Sequence, residues 1–263
     1  MERIEHGGPG DAIENPVWTF GDVLLVSLGG VAFFLLLGIP TILMFASVPL
    51  LEAGRSPNLT ATIAGVIAQT LTYIAVLVLI GRVVRTRGTS LHQYLSTLAA
   101  LRWNPPRNRV LFAAVGVSLA VLFAMTSRFL PIPPDLPLDK AFSTTFSSYI
   151  VALFGIAVAP LFEEIYFRGL LYPVLVRGFR KAGATLAVSL AVTVTAALFA
   201  LVHARQLEDS WAPLLVIFVV GIVLTLIRAQ TRSVAASWIV HLCYNSTLFV
   251  LMFVQTSGFR KLQ

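Results

Sequence analysis

Seven long apolar runs, each broken by a short polar or basic stretch, set the pattern of this chain. They fall at about 20–45, 60–80, 110–125, 147–176, 184–202, 213–227 and 234–254. None alternates with period two, and the longer ones hold enough residues to cross a hydrocarbon layer of ~30 Å at ~1.5 Å per residue. The pattern predicts an all-α polytopic membrane helix bundle of about seven transmembrane helices. Glycine and proline inside the runs, Pro40 and Pro160 among them, do not count against this, because neighbouring helices can satisfy the backbone groups that they free. Pro160 is expected to bend its helix and open carbonyls nearby.

Composition agrees. The chain is 57% hydrophobic and 12% charged, against about 25% charged in soluble proteins, and its mean hydropathy is +0.85. The net charge of +7 is spread over short loops, which argues for a topology signal rather than a nucleic-acid footprint. The segment 82–109 holds Arg82, Arg85, Arg87, Arg102, Arg107 and Arg109 and no acid, so it is placed in the cytoplasm. Residues 90–101 read as a short surface helix. The Pro-rich turn 131–137, with Asp135 and Asp139 close by, is placed outside. That puts the N-terminus inside and Arg260 and Lys261 outside. The first twenty residues carry Glu2, Glu5, Asp11 and Glu14, so insertion is expected to use the first span itself rather than a cleavable signal.

The expected organisation is a polar lead over 1–19, disordered or surface-bound, and N-terminal helices with the basic loop over 20–144. A core over 145–254 and a tail over 255–263 follow. No internal repeat of 20–50 residues is visible. Cys243 is the single cysteine, which excludes an intramolecular disulfide and a cysteine zinc site. His6 and His92 read as solvated and interfacial.

Candidate chemistry lies where ionisable groups interrupt apolar helix, since such groups are functional-site hypotheses. Glu163 and Glu164 are adjacent, with Arg168 four residues after the second. The i, i+4 order with the acid first suits a helical ion pair. Glu163 then projects about 100° round the helix, away from the arginine. Phe199 and His203 repeat the spacing, as do His241 and Asn245. A carboxylate in apolar surroundings suits a general base for water. A histidine can help to hold that water, and a histidine with an asparagine amide can donate to an oxyanion. The same set allows a zinc site built from Glu163, His203 and His241. Both alternatives stand at this level. The plainer alternatives are an interfacial His203, a structural Glu164–Arg168 pair, and His241 and Asn245 as interhelical hydrogen-bonding groups.

Taken together, Glu163-Glu164-x-x-x-Arg168, Phe199-x-x-x-His203 and His241-x-x-x-Asn245 resemble the three signature motifs of the CPBP intramembrane proteases. These include type II CAAX prenyl endopeptidases and bacterial proteins linked to bacteriocin processing or self-immunity. The resemblance covers about residues 145–252. It implies Glu163 as the base, His203 holding the water, and His241 and Asn245 as the oxyanion site, with Glu164, Arg168 and Phe199 supporting them. It implies an integral protein of a bacterial plasma membrane that cleaves a CAAX-like, prenylated-protein-like or short peptide substrate, with zinc or without a metal. The alternatives are a non-catalytic immunity or scaffold protein, and a proton-coupled transporter, which the lack of repeats disfavours.

One expectation is in tension with this. Counted from the basic turns at ~1.5 Å per residue, Glu163 lies about 21 Å deep, His203 about 30 Å, His241 about 13 Å and Asn245 about 19 Å. A shared site needs those levels to coincide.

Overall fold

The computed structural model describes residues 16–47, 57–87, 93–131, 141–142, 144–207 and 210–260. His6, His92, the lead over 1–15, most of the 131–137 turn, and Asp135 and Asp139 lie outside them. All regular structure among the described residues is helical. Seven helices are long and apolar enough to cross a membrane: α1 (Phe20–Phe45), α2 (Leu59–Arg87), α4 (Arg109–Phe129), α5 (Thr145–Ala182), α6 (Ala184–Leu201), α7 (Trp211–Thr231) and α8 (Val234–Gln255). A short helix, α3 (Gln93–Ala100), connects α2 to α4. The chain is an integral membrane protein.

The apolar runs locate the helices and local chemistry sets their ends. Thr19 and Asp22 form a capping box at the start of α1, and Thr144 and Ser147 form another ahead of α5. Asn108 caps α4 and Ser233 caps α8 through backbone N–H groups. These side chains satisfy donors that a helix start leaves open. Helix α2 runs further than its apolar stretch and takes in Arg82, Arg85 and Arg87. The basic loop is therefore shorter than the sequence suggested. Cations are stabilising at a helix C-terminus, and Arg87 is held there by Asp22 at 2.7 Å.

The lead also differs from expectation where it is described. Trp18 is fully buried and its indole N–H donates to the Leu170 carbonyl at 2.8 Å. Arg177 donates to the carbonyls of Pro16 and Trp18, both at 2.8 Å. A large aromatic with one polar atom is stable when buried only if that atom finds a partner, and α5 supplies it.

Helix α5 lies at the centre, against α2, α6 and α8, while α1 packs on α2, α4 on α8, and α7 on both α6 and α8. Small residues set the closest approaches, as is usual between membrane helices. A Cβ on Gly116 of α4 would overlap the Val240 carbonyl of α8, and one on Gly221 of α7 would stand 3.1 Å from Ala196 of α6. At the rim of the bundle, Val234 N–H donates to Arg102 O at 2.9 Å and Ser233 Oγ to Asn104 O. These bonds fix the start of α8 to the segment before α4.

Helix α5 is not regular. It is π-helical over Phe154–Val158 and again over Glu164–Leu171, with a short α turn between them. Such wide turns recur at functional sites. Here they flank the acid pair.

Candidate active site

Glu164 and Arg168 form the buried floor of the site. Arg168 Nη1 donates to Glu164 Oε1 at 3.0 Å, and neither side chain has any exposure. The guanidinium also reaches α7, donating from Nε to Thr225 Oγ1 and from Nη2 to Gly221 O, each at 3.3 Å. Its flat face lies 4.5 Å from the Phe199 ring centroid, a cation–π geometry. The ion pair thus joins α5, α6 and α7. It is stable at this depth because every charge has a partner, although Glu164 Oε2 has no hydrogen-bond partner.

His241 stands on the same carboxylate. Its Nδ1 lies 2.9 Å from Glu164 Oε1. A carboxylate paired with arginine only accepts, so Nδ1 carries the proton and donates. The other ring nitrogen, Nε2, is then turned toward Glu163, 3.7 Å from Oε2. His203 is oriented in a similar way by a different group. Its Nδ1 lies 2.7 Å from the Phe199 carbonyl, which can only accept, so Nδ1 again holds the proton. Its Nε2 faces Glu163 Oε1 at 3.8 Å.

Glu163 therefore sits between two imidazole nitrogens that carry lone pairs when the rings are neutral. Acceptors facing acceptors across 3.7–3.8 Å lie beyond direct hydrogen bonding and call for a proton donor in the gap. A water molecule meets that demand, and so does a second proton on one imidazole. Glu163 is 12% exposed and His203 18%, so the gap can be reached, whereas Glu164 and Arg168 are sealed.

The depths disagree with the count from the basic turns because that count treats the helices as straight and upright. Helix α5 has 38 residues, roughly 57 Å at ~1.5 Å per residue, far more than a crossing requires. Its residue levels depart from a straight count because two wide turns interrupt it. His203 is not inside a span at all: α6 ends at Leu201, and His203 lies in the turn that follows.

Asn245 is one helical turn beyond His241 on α8. Its Nδ2 donates to the Gly155 carbonyl of α5 at 2.7 Å, which leaves one amide proton. Phe199 lies between the groups, 4.9 Å from the His203 ring and 5.8 Å from that of His241. The zinc alternative needs donors about 2.0–2.2 Å from one centre. Among the described residues no three His, Cys, Asp or Glu side chains are grouped to hold a metal ion.

Sequence reasoning missed several participants. Thr225 and Gly221 on α7 hold Arg168; their i, i+4 spacing in an apolar helix was a usable signal. Tyr73 on α2 stacks on Phe162, beside Glu163, with centroids 3.8 Å apart and planes at 9°. Its hydroxyl is within Coulombic reach of Glu163. A lone tyrosine in an apolar run carries no spacing signal, and only the packing of α2 on α5 brings it here.

Residues 145–247 match the model of the family described as type II CAAX prenyl endopeptidase Rce1-like. Over this segment the chain is similar to the Rce1-like family. No curated protein and no solved structure matches the chain. Every residue of the three motifs lies inside the Rce1-like segment, from Glu163 to Asn245. Tyr73 and Trp18 lie outside it. The Rce1-like family is a protease family, and the arrangement around Glu163 suits hydrolysis.

Proposed function

We propose that this chain is an intramembrane endopeptidase in which Glu163 activates a water molecule for attack on a peptide bond. The observation that carries this is the placement of one reachable carboxylate between two imidazole nitrogens, at 3.8 and 3.7 Å. Water bound there donates one hydrogen to Glu163 and the other to His203 Nε2. Its oxygen attacks the carbonyl carbon while Glu163 accepts the proton. The carbonyl π bond opens to an oxyanion. His241 Nε2–H and the second amide proton of Asn245 face that charge. Glu163 then passes its proton to the departing nitrogen as the C–N bond breaks.

The role of His241 requires an imidazolium, because Nδ1 already donates to Glu164. The substrate is a membrane-associated peptide of the CAAX type or a short apolar peptide. Tyr73, Phe154 and Phe162, which stack in series, offer it an apolar wall.

The test uses the full chain in liposomes with a quenched fluorescent peptide ending in a CAAX-type sequence. Glu163→Gln keeps the shape and removes the base, and turnover should fall by about 10²–10⁴. Cleavage that persists at the wild-type rate in that variant refutes the proposal.

A further inference from the structure

Three π-helical segments occur among the described residues: Phe34–Gly38, Phe154–Val158 and Glu164–Leu171. Each stops two residues short of a proline, at Pro40, Pro160 and Pro173. The cause is steric. A proline ring inside a helix strikes the carbonyl four residues back, and a wider turn moves that carbonyl aside. The wide turn has a second consequence. The backbone N–H just before each proline bonds five residues back: Ile39 to Phe34 O, Ala159 to Phe154 O and Tyr172 to Phe167 O. The next carbonyl along has lost its i+4 donor to this shift, and its i+5 donor would be the proline, which has no N–H. Leu35, Gly155 and Arg168 are the residues so placed.

An unpaired carbonyl at membrane depth is costly. At the two places that bracket the acid pair, a side chain from another helix fills the gap. Asn245 Nδ2 donates to Gly155 O at 2.7 Å and Arg228 Nε to Arg168 O at 3.2 Å. Gly155 also lets α8 come close: a Cβ there would stand 3.0 Å from the Phe249 ring, one turn after Asn245.

We propose that Pro160 is a positioning residue of the site: by withholding an N–H from Gly155 O, it makes that carbonyl the anchor that fixes the plane of the Asn245 amide. An amide held by one N–H at 2.7 Å can no longer rotate, so its second N–H keeps one direction. The effect on turnover rests on the peptidase proposal, but the anchoring bond does not.

The experiment compares the full-length wild type, Asn245→Ala, Pro160→Ala and the double variant in detergent micelles. The first readout is the thermal unfolding midpoint, which needs no substrate. Asn245→Ala should lower it. In the Pro160→Ala background the new backbone N–H can take Gly155 O, and Asn245→Ala should then cost much less. Equal losses in both backgrounds overturn the anchor. The second readout is cleavage of the CAAX-type peptide. Pro160→Ala should lower kcat with KM little changed, and the double variant should be no slower than Asn245→Ala alone. Multiplicative losses overturn the positioning role. A wild type that cleaves nothing removes the peptidase proposal, while the midpoints still decide the anchor. If Pro160→Ala does not fold, the carbonyl ¹³C resonance of Gly155 in glycine-labelled chain replaces it. Asn245→Leu should move that resonance upfield by removal of the hydrogen bond, and an unmoved resonance overturns the proposal.

Discussion

Replacing Arg168 with methionine tests the floor of the site. The side chain stays long and flexible, so the volume is largely kept, but Glu164 is left as a buried charge. Its carboxylate keeps the bond from His241 Nδ1, at 2.9 Å, and the nearby Ser237 hydroxyl, but no fixed cation. On α7 the loss is smaller, because Thr225 Oγ1 still donates to Gly221 O at 2.7 Å. Breaking a buried pair from one side costs about 3–5 kcal/mol, roughly two to three and a half orders of magnitude in the folding equilibrium at ~1.4 kcal/mol per tenfold. Replacing both partners, as Glu164→Leu with Arg168→Met, removes the stranded charge. It leaves His241 Nδ1–H without an acceptor, at about 1–3 kcal/mol. The double variant should therefore be more stable than Arg168→Met alone, though inactive, since nothing then supports the imidazolium. Equilibrium unfolding in mixed micelles, with a denaturing detergent titrated in, measures both. A cost below about 1 kcal/mol for Arg168→Met, typical of an exposed pair, would refute the reasoning. So would a double variant that loses more than the single one.

Three other outcomes follow from the same contacts. Trp18→Phe keeps most of the ring and removes the indole bond to the Leu170 carbonyl, so unfolding should cost about 0.5–1.5 kcal/mol less; an unchanged unfolding curve would take Trp18 out of the fold's support. Gly116→Ala forces α4 from the Val240 carbonyl and should destabilise by about 1–3 kcal/mol. Turnover should fall with it, because α8 carries His241 and Asn245, and the same unfolding and cleavage assays check both. His203→Ala should lower cleavage about 10²-fold or more while the unfolding midpoint barely moves, since the residue lies in a turn with one hydrogen bond to Phe199 O; a large midpoint shift would mark it as structural instead.

Much of this protein is legible without coordinates, because it depends on local properties of the chain. Apolar length fixes that there are seven spans, to within a few residues except where basic residues prolong α2 and α5. Helical spacing fixes that Glu164 meets Arg168 and that Glu163 points elsewhere. Depth is not local. Glu163, His203 and His241 meet through the wide turns of an overlong helix and a histidine in the turn beyond its span, none of which follows from rise per residue. Nor could the chain in one dimension say which groups would answer the carbonyls that its prolines set free. That choice falls to whatever donor the neighbouring helix presents: Asn245 from α8 for Gly155, Arg228 from α7 for Arg168. Sequence thus determined where the polar atoms and the missing N–H groups are. Tertiary packing decided which of them meet, because an acceptor stripped of its backbone donor at membrane depth has no water to turn to and takes its partner from the helix alongside.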